Sequence, residues 1–150
     1  MMLSAHFDRA EFEVSDTAAR HNIRNRVPDE AMPNLIGLVG LMEQVRQVLG
    51  GFAITINSGY RSPALNALVR GSANSAHMDA RAADFICPRA GSPLEICRLI
   101  AASGIEFDQL IHEYGRWVHI ATPPAGRAPR KQILTIDRQG TREGILVARS

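Results

Sequence analysis

Apolar and polar positions along the chain predict three helices. The first carries apolar side chains three and four residues apart, a spacing that places them on one helical face, and two glycines end it. The second opens with a serine N-cap followed by proline, the third opens with a serine–glutamate capping box, and each closes at a glycine. The predicted helices span residues 34–49, 62–71 and 92–104.

Shorter apolar or alternating segments predict six strands. They span residues 53–58, 80–87, 107–113, 116–122, 131–137 and 144–150. A tight turn at residues 114–116 joins the third and fourth of these as a hairpin, and the first 33 residues look irregular, with one short helix after Ser15. Strands and helices interleave, yet the strands end in hairpins, which favours an α+β fold with a small mixed or antiparallel sheet and flanking helices.

Length and composition narrow the class of protein. A chain of 150 residues that is 45% hydrophobic suits one domain spanning residues 1–150. The net charge of +2 comes without a lysine-rich run, so we expect no nucleic-acid partner, and a monomer is the default. Cys87 and Cys97 lack the spacing of a zinc ribbon, and we expect buried free thiols rather than a disulfide.

The chain shows no targeting or membrane signal. Its N-terminus lacks the basic-then-apolar pattern of a signal peptide, and no apolar run approaches the roughly 18 residues of a membrane span. We therefore expect synthesis in the cytoplasm and no membrane insertion.

Candidate chemistry begins in the stretch SAHMDARAADF, residues 75–85. Asp84 stands among apolar residues of a predicted strand, and a buried carboxylate is costly unless it is paired or bound to a metal. The same stretch holds His77, and His119 lies in a second apolar strand, WVHIA. A lone histidine in such a strand is usually a satisfied core residue.

The predicted hairpin places further polar groups near His119. With residues 114–116 as the turn, Glu113 faces Trp117 and Ile111 faces His119. Because side chains alternate along a strand, Glu113, Trp117 and His119 share one face, and His112 points to the other.

Two histidines and one carboxylate form an ordinary catalytic zinc set that leaves a fourth position for water. His77, Asp84 and His119 are the candidates, and Glu113 is the candidate general base. The alternative is a set of unconnected polar residues, in which Asp84 caps a backbone group and His77 lies in a solvated loop.

Three motifs together resemble a known family. They are S-x-H-x6-D at Ser75, His77 and Asp84, W-x-H at Trp117 and His119, and SGYRS at 58–62. In this order they resemble the zinc D-alanyl-D-alanine carboxypeptidase family. That family includes phage L-alanyl-D-glutamate endolysins and D,D-dipeptidases, and it shares its fold with the hedgehog signalling domain. The resemblance covers roughly residues 7–122.

The resemblance implies a role for each matching residue. It implies one zinc per chain held by His77, Asp84 and His119, with Glu113 as the catalytic base. Arg61 would grip the substrate or polarise its scissile carbonyl, although it could also be a surface arginine beside a helix cap.

Other residues of the motifs have weaker implied roles. Ser75 would form a hydrogen bond with the substrate or with the ligand loop, or be a simple turn serine. Tyr60 and Asn66 would line the cleft. Two positions depart from the family pattern: Ala80 replaces a glycine, and Trp117 stands where several relatives place a second histidine. Trp117 is then either a wall of the cleft, and so part of the substrate site, or a packed core residue.

The implied function is zinc-dependent hydrolysis of a peptide bond in peptidoglycan stem peptides, as a carboxypeptidase or an endopeptidase. Such a protein would act on the cell wall after release or as part of a phage particle. The alternative is a non-catalytic zinc-containing module that binds the cell wall or belongs to a phage tail.

Overall fold

A six-stranded mixed sheet lies at the centre of the fold. The computed structural model describes residues 1–150. The strands are β1 (Thr55–Ser58), β2 (Ala82–Ile86), β3 (Gln109–Glu113), β4 (Trp117–Ala121), β5 (Gln132–Asp137) and β6 (Gly140–Glu143). Their order across the sheet is β1-β2-β4-β3-β5-β6, and all neighbours are antiparallel except β3 and β5, which run parallel. The predicted α+β fold with a mixed sheet is confirmed.

Five helices flank this sheet. They are α1 (Arg9–Glu13), α2 (Asp16–Arg20), α3 (Met32–Val48), α4 (Pro63–Leu68) and α5 (Pro93–Ala102). The longest, α3, buries its apolar face in a core of 24 residues that also takes side chains from the sheet and α5. The three predicted helices are confirmed, each with ends a few residues from the expected positions.

The N-terminal segment is more regular than the sequence pattern suggested. Ser15 caps α2 as predicted, but a second short helix, α1, precedes it. Asp8 and Glu11 form a reciprocal capping box at its start, a signal present in the sequence as D-x-x-E. The helix buries Phe12 in the core, and this contact anchors the segment.

The strand predicted at residues 144–150 is wrong. The last strand is instead β6, which pairs with β5 across a tight turn and ends before Gly144, whose φ is +89°. The chain then follows β5 through separate contacts: Leu146 N donates to Thr135 Oγ1 and Arg149 N donates to Asp137 Oδ2. These side-chain acceptors replace a backbone ladder, so the apolar run forms no strand.

The β3–β4 hairpin has the predicted register. Glu113 pairs with Trp117 and Ile111 with His119, so the shared face of Glu113, Trp117 and His119 is confirmed. His112 points to the opposite face, where its Nδ1 lies 2.9 Å from the carbonyl of Leu146.

Two further features concern the cysteines and the character of the helices. Cys87 and Cys97 are both buried and unpaired, as predicted, and burial raises the pKa of Cys97 to about 12. None of the helices has both the length and the apolar character that crossing a bilayer requires.

Candidate metal centre

Three residues from separate elements meet on one side of the sheet. His77 comes from a 3-10 turn at Ala76–Asp79, Asp84 from β2 and His119 from β4. Asp84 and His119 are direct partners in the β2–β4 register, and the 3-10 turn lies beside β2. One ligand atom from each of the three lies within 4.8 Å of the others, and all three residues are buried.

Asp84 is the centre of this group. Its Oδ1 lies 2.8 Å from His119 Nδ1 and 3.3 Å from His77 Nε2, and its Oδ2 lies 3.4 Å from Arg61 Nη2. Burial alone would raise the pKa of Asp84, but the two imidazoles outweigh it and hold that pKa well below its usual range. The carboxylate is therefore charged at neutral pH and available as a ligand.

The protonation of His77 tests whether the group fits a metal ion. Its Nδ1 lies 2.6 Å from the carbonyl oxygen of Gly59, which can only accept, so Nδ1 carries the proton and Nε2 a lone pair. That lone pair faces the Asp84 carboxylate at 3.3 Å, and the contact is favourable only with a proton or a metal ion between the two atoms. Two imidazoles and a carboxylate are a set of donors that zinc accepts, so the residues fit the metal.

The Gly59 carbonyl is a support that sequence reasoning missed. A Cβ at position 59 would lie 2.6 Å from the Phe12 carbonyl oxygen, so no larger residue fits there. Tyr60 N donates to the same Phe12 oxygen, at 2.6 Å. Helix α1 thus holds the strand end that orients His77, in the way that a carbonyl beside a ligand histidine fixes its tautomer and ring orientation. The only signal in the sequence is the glycine of SGYRS.

Glu113 lies at the edge of the group. Its Oε1 is 3.9 Å from His119 Nδ1, and its side chain is 18% exposed. Burial first, and then the negative charge of Asp84, raise the pKa of Glu113 above its usual value. A carboxyl group at this position can exchange a proton with a molecule bound beside the three ligands.

Arg61 is fixed on the other side of Asp84. Its guanidinium lies near Ser58 Oγ at 3.2 Å, Asn66 Oδ1 at 3.4 Å and Asp84 Oδ2 at 3.4 Å. Asn66 is itself buried and donates to the Ser72 carbonyl. The structure therefore brings Arg61 into the group, with Asn66 as its support rather than as part of an open wall.

Ser75 and Trp117 flank the group on different sides. Ser75 Oγ accepts from His77 N, and Ser75 and His119 both line a cavity of about 270 Å³. Trp117 is half-buried, and its ring centroid lies 5.5 Å from that of Tyr114. Trp117 lines a second cavity, whose lining includes none of the three ligands, so its place in the wall of the substrate cleft stays a prediction.

Tyr60 and Ala80, two further positions singled out in the sequence, are both buried. Tyr60 is 6% exposed and packs in the hydrophobic core, so the structure does not bring its ring to the ligands. Ala80, at the family's glycine position, has a φ of +58°, in the left-handed region that favours glycine. This departure from the family pattern therefore places a strained backbone position in the ligand loop.

Comparison with known families matches this geometry. The model of the family Peptidase M15 matches residues 5–121, which include all three candidate ligands and Glu113. The chain belongs to the peptidase M15 family. No curated protein matches the chain.

Membership of peptidase M15 implies a metallopeptidase, and peptidases of this family depend on zinc. The buried group of His77, Asp84 and His119 is compatible with that chemistry. The M15 match stops at residue 121, so β5, β6 and the C-terminal tail lie outside it.

Proposed function

We propose that this protein is a zinc peptidase that hydrolyses a peptide bond in the stem peptides of peptidoglycan. The observation that carries the proposal is the meeting of His77 Nε2, Asp84 Oδ1 and His119 Nδ1. Glu113 lies next to this donor set, 3.9 Å from His119.

Each residue has a chemical task in this proposal. His77, Asp84 and His119 hold the zinc, which, when bound, polarises the scissile carbonyl and makes water a better nucleophile. Glu113 takes a proton from the attacking water as its oxygen bonds to the carbonyl carbon. It returns that proton to the nitrogen as the C–N bond breaks. Arg61 neutralises Asp84 and supplies positive charge on the side where the carbonyl oxygen becomes negative.

The choice of substrate rests on the motifs. S-x-H-x6-D, W-x-H and SGYRS resemble carboxypeptidases and endopeptidases of the cell wall, and the M15 match covers all three motifs. The same resemblance supports a monomer with one zinc per chain that reaches the wall after release or within a phage particle. Carboxypeptidase and endopeptidase action both remain within the proposal.

A non-catalytic zinc module is the alternative, and Glu113 argues against it. A zinc ion that only stabilises a fold needs closed coordination and no neighbouring proton acceptor. Glu113 is a largely buried carboxyl beside the ligands with a raised pKa, and a binding module has no use for it.

The test separates metal binding from hydrolysis. Zinc content is measured by mass spectrometry for the native chain, Glu113→Ala, His77→Ala and a control, Glu143→Ala, which removes an exposed carboxylate on β6. Purified peptidoglycan fragments are then digested and the products identified by mass. We expect about one zinc in the native chain, Glu113→Ala and the control, and loss of zinc in His77→Ala.

Hydrolysis gives the decisive contrast. Loss of the general base lowers turnover by about 10²–10⁴-fold, so Glu113→Ala should keep its zinc and lose measurable cleavage, while Glu143→Ala cleaves like the native chain. Undiminished cleavage by Glu113→Ala would remove Glu113 from the mechanism. A zinc-loaded native chain that cleaves no fragment would favour the binding module.

A further inference from the structure

A second cavity, of about 430 Å³, lies at the turn end of the β3–β4 hairpin. Its walls are the aromatic rings of Tyr114 and Trp117, three arginines (Arg116, Arg138 and Arg149) and Ser150. We call it the arginine pocket. No acidic side chain lines it.

Segments outside the M15 match build much of the arginine pocket. Arg138 lies in the turn between β5 and β6, and Arg149 lies in the tail, both beyond residue 121. Tyr114 N donates to the Ile136 carbonyl at 2.7 Å, which fixes the hairpin turn against β5. The pocket therefore depends in part on residues that the family model does not cover.

Buried Asp137 holds the pocket in shape. Its Oδ2 accepts from Arg149 N at 2.8 Å and from Arg142 Nη2 at 2.8 Å, and its Oδ1 accepts from Gln139 N at 2.9 Å. Gly115 lies against the tail as well, because a Cβ there would contact the Ala148 side chain at 3.5 Å. The tail and both turns are thus joined before any ligand binds.

The arginines of the pocket outnumber the acidic side chains that pair with them. Arg149 shares Asp137 with Arg142, so these two cations have one carboxylate between them. Arg116 and Arg138 are exposed and form no ion pair, in contrast to Arg61, Arg81 and Arg130. Guanidinium groups that line one cavity without an ion-pair partner suit a carboxylate, which accepts two parallel hydrogen bonds.

Trp117 connects the arginine pocket to the metal centre. It lines the pocket, pairs with Glu113 across the hairpin, and precedes His119 by two positions on the same face. Two residues along a strand span about 7 Å. An extended peptide with its scissile bond at the ligands would therefore place a group about two or three residues away at the pocket.

We propose that the arginine pocket binds a carboxylate of the peptide substrate, about two or three residues from the bond that is cleaved. This inference rests on the proposed peptidase function and adds a preference for acidic peptides. The carboxylate comes either from an acidic side chain or from the free C-terminus of the peptide, because both present the same group to Arg116 and Arg138.

The test combines two arginine variants with matched peptides. Arg116→Gln and Arg138→Gln each remove one cation from the pocket, and Arg127→Gln is the control because Arg127 is exposed and lines neither cavity. The peptides carry the cleaved sequence in three forms: with glutamate at the flanking position, with glutamine there, and with glutamate there but an amidated C-terminus. KM and kcat are measured for each pair.

The proposal predicts a change in binding confined to one carboxylate. Each pocket variant should raise KM for the all-acid peptide by about tenfold with little change in kcat, as expected for a charge-assisted contact. The effect should disappear with the glutamine peptide if a side chain is bound, or with the amidated peptide if the C-terminus is bound. Equal responses to all three peptides, or no response, would overturn the proposal.

Failure of the peptidase function can be told apart from failure of the pocket. If the native chain cleaves none of the peptides, the proposed function fails and calorimetric binding of the same peptides to the native chain decides the inference. Tighter binding of the all-acid peptide that is lost in Arg138→Gln supports the pocket. Equal binding of the acid and amide forms overturns it.

Discussion

Two buried aspartates, Asp84 and Asp137, show what separates a metal ligand from a structural carboxylate. Both are under 10% exposed, and neighbouring donors hold the pKa of each well below its usual range. Asp137 is met by backbone N–H groups and guanidinium groups, which are permanent donors. Asp84 is met by Arg61 and by two imidazoles, and an imidazole, unlike a guanidinium, can lose a proton and offer a nitrogen lone pair to a metal ion.

The two aspartates differ in what the groups around them can still bind. Around Asp137 every contact is already a donor meeting an acceptor, so the carboxylate needs nothing more. Around Asp84, the two imidazoles can each give up a proton, and their nitrogen lone pairs can then bind a metal ion together with the carboxylate. A buried carboxylate is thus read as structural or ligating from its partners, since burial and a low pKa are common to both.

Exchanging each carboxylate for its amide is the largest test of this comparison. Asp84→Asn removes an anionic ligand, so it should lose the zinc and lower hydrolysis by more than about a thousandfold. Asp137→Asn should keep about one zinc per chain, although its thermal midpoint falls because the tail loses its anchor. Zinc content and the thermal midpoint of both variants, measured side by side, check this.

Either of two outcomes would break the comparison. An Asp84→Asn chain that keeps its zinc would mean that Asp84 is structural too. An Asp137→Asn chain that loses zinc would mean that the tail supports the metal centre.

A smaller effect is expected at the support of His77. Gly59→Ala forces a Cβ to within 2.6 Å of the Phe12 carbonyl oxygen, so α1 or the Gly59 carbonyl must shift. Removing the partner of a ligand histidine weakens metal affinity by about 10–100-fold, and we expect a loss in this range by competition with a zinc-binding dye. Gly37→Ala is the control because its Cβ meets nothing within 4 Å. Equal affinity in both variants would show that the Gly59 carbonyl is not needed.

The smallest expected effect is the loss of stability from Asp137 at acidic pH. The folded-state pKa of Asp137 lies below its unfolded value of about 3.9. Its contribution to stability is therefore fully present above about pH 4 and is lost as the pH falls toward the folded pKa. The difference in free energy of unfolding between the native chain and Asp137→Asn should be largest near neutral pH and shrink below about pH 4, as urea titrations at several pH values would show. A constant difference across this range would mean that the charge of Asp137 contributes nothing.

The sequence predicted the parts of the site that depend on local spacing. The tight turn at 114–116 fixed the register of β3 and β4, so the common face of Glu113, Trp117 and His119 followed from alternation alone. The motif comparison also singled out Ala80 at the family's glycine position, and the structure shows a left-handed backbone there.

Contacts between distant segments were not predictable in this way. Gly59 packs against the backbone of Phe12 and its carbonyl faces His77 Nδ1. These contacts join three segments of the chain that no local sequence pattern relates. The strand predicted at residues 144–150 was wrong for a different reason. This segment, GILVARS, has the apolar content of a strand, but its backbone N–H groups donate to the side chains of Thr135 and Asp137. Apolar content predicts burial and leaves the hydrogen-bond partner open.

The spread of the metal centre along the chain has a consequence for its biosynthesis. The group draws on Phe12, Gly59, His77, Asp84 and His119, so its parts are separated by more than a hundred residues. A nascent chain on the ribosome has no complete ligand set until His119 has emerged, and contacts this far apart form late in folding. A metal ion bound by this group can therefore stabilise only an almost complete fold, and a partly made chain lacks the full ligand set.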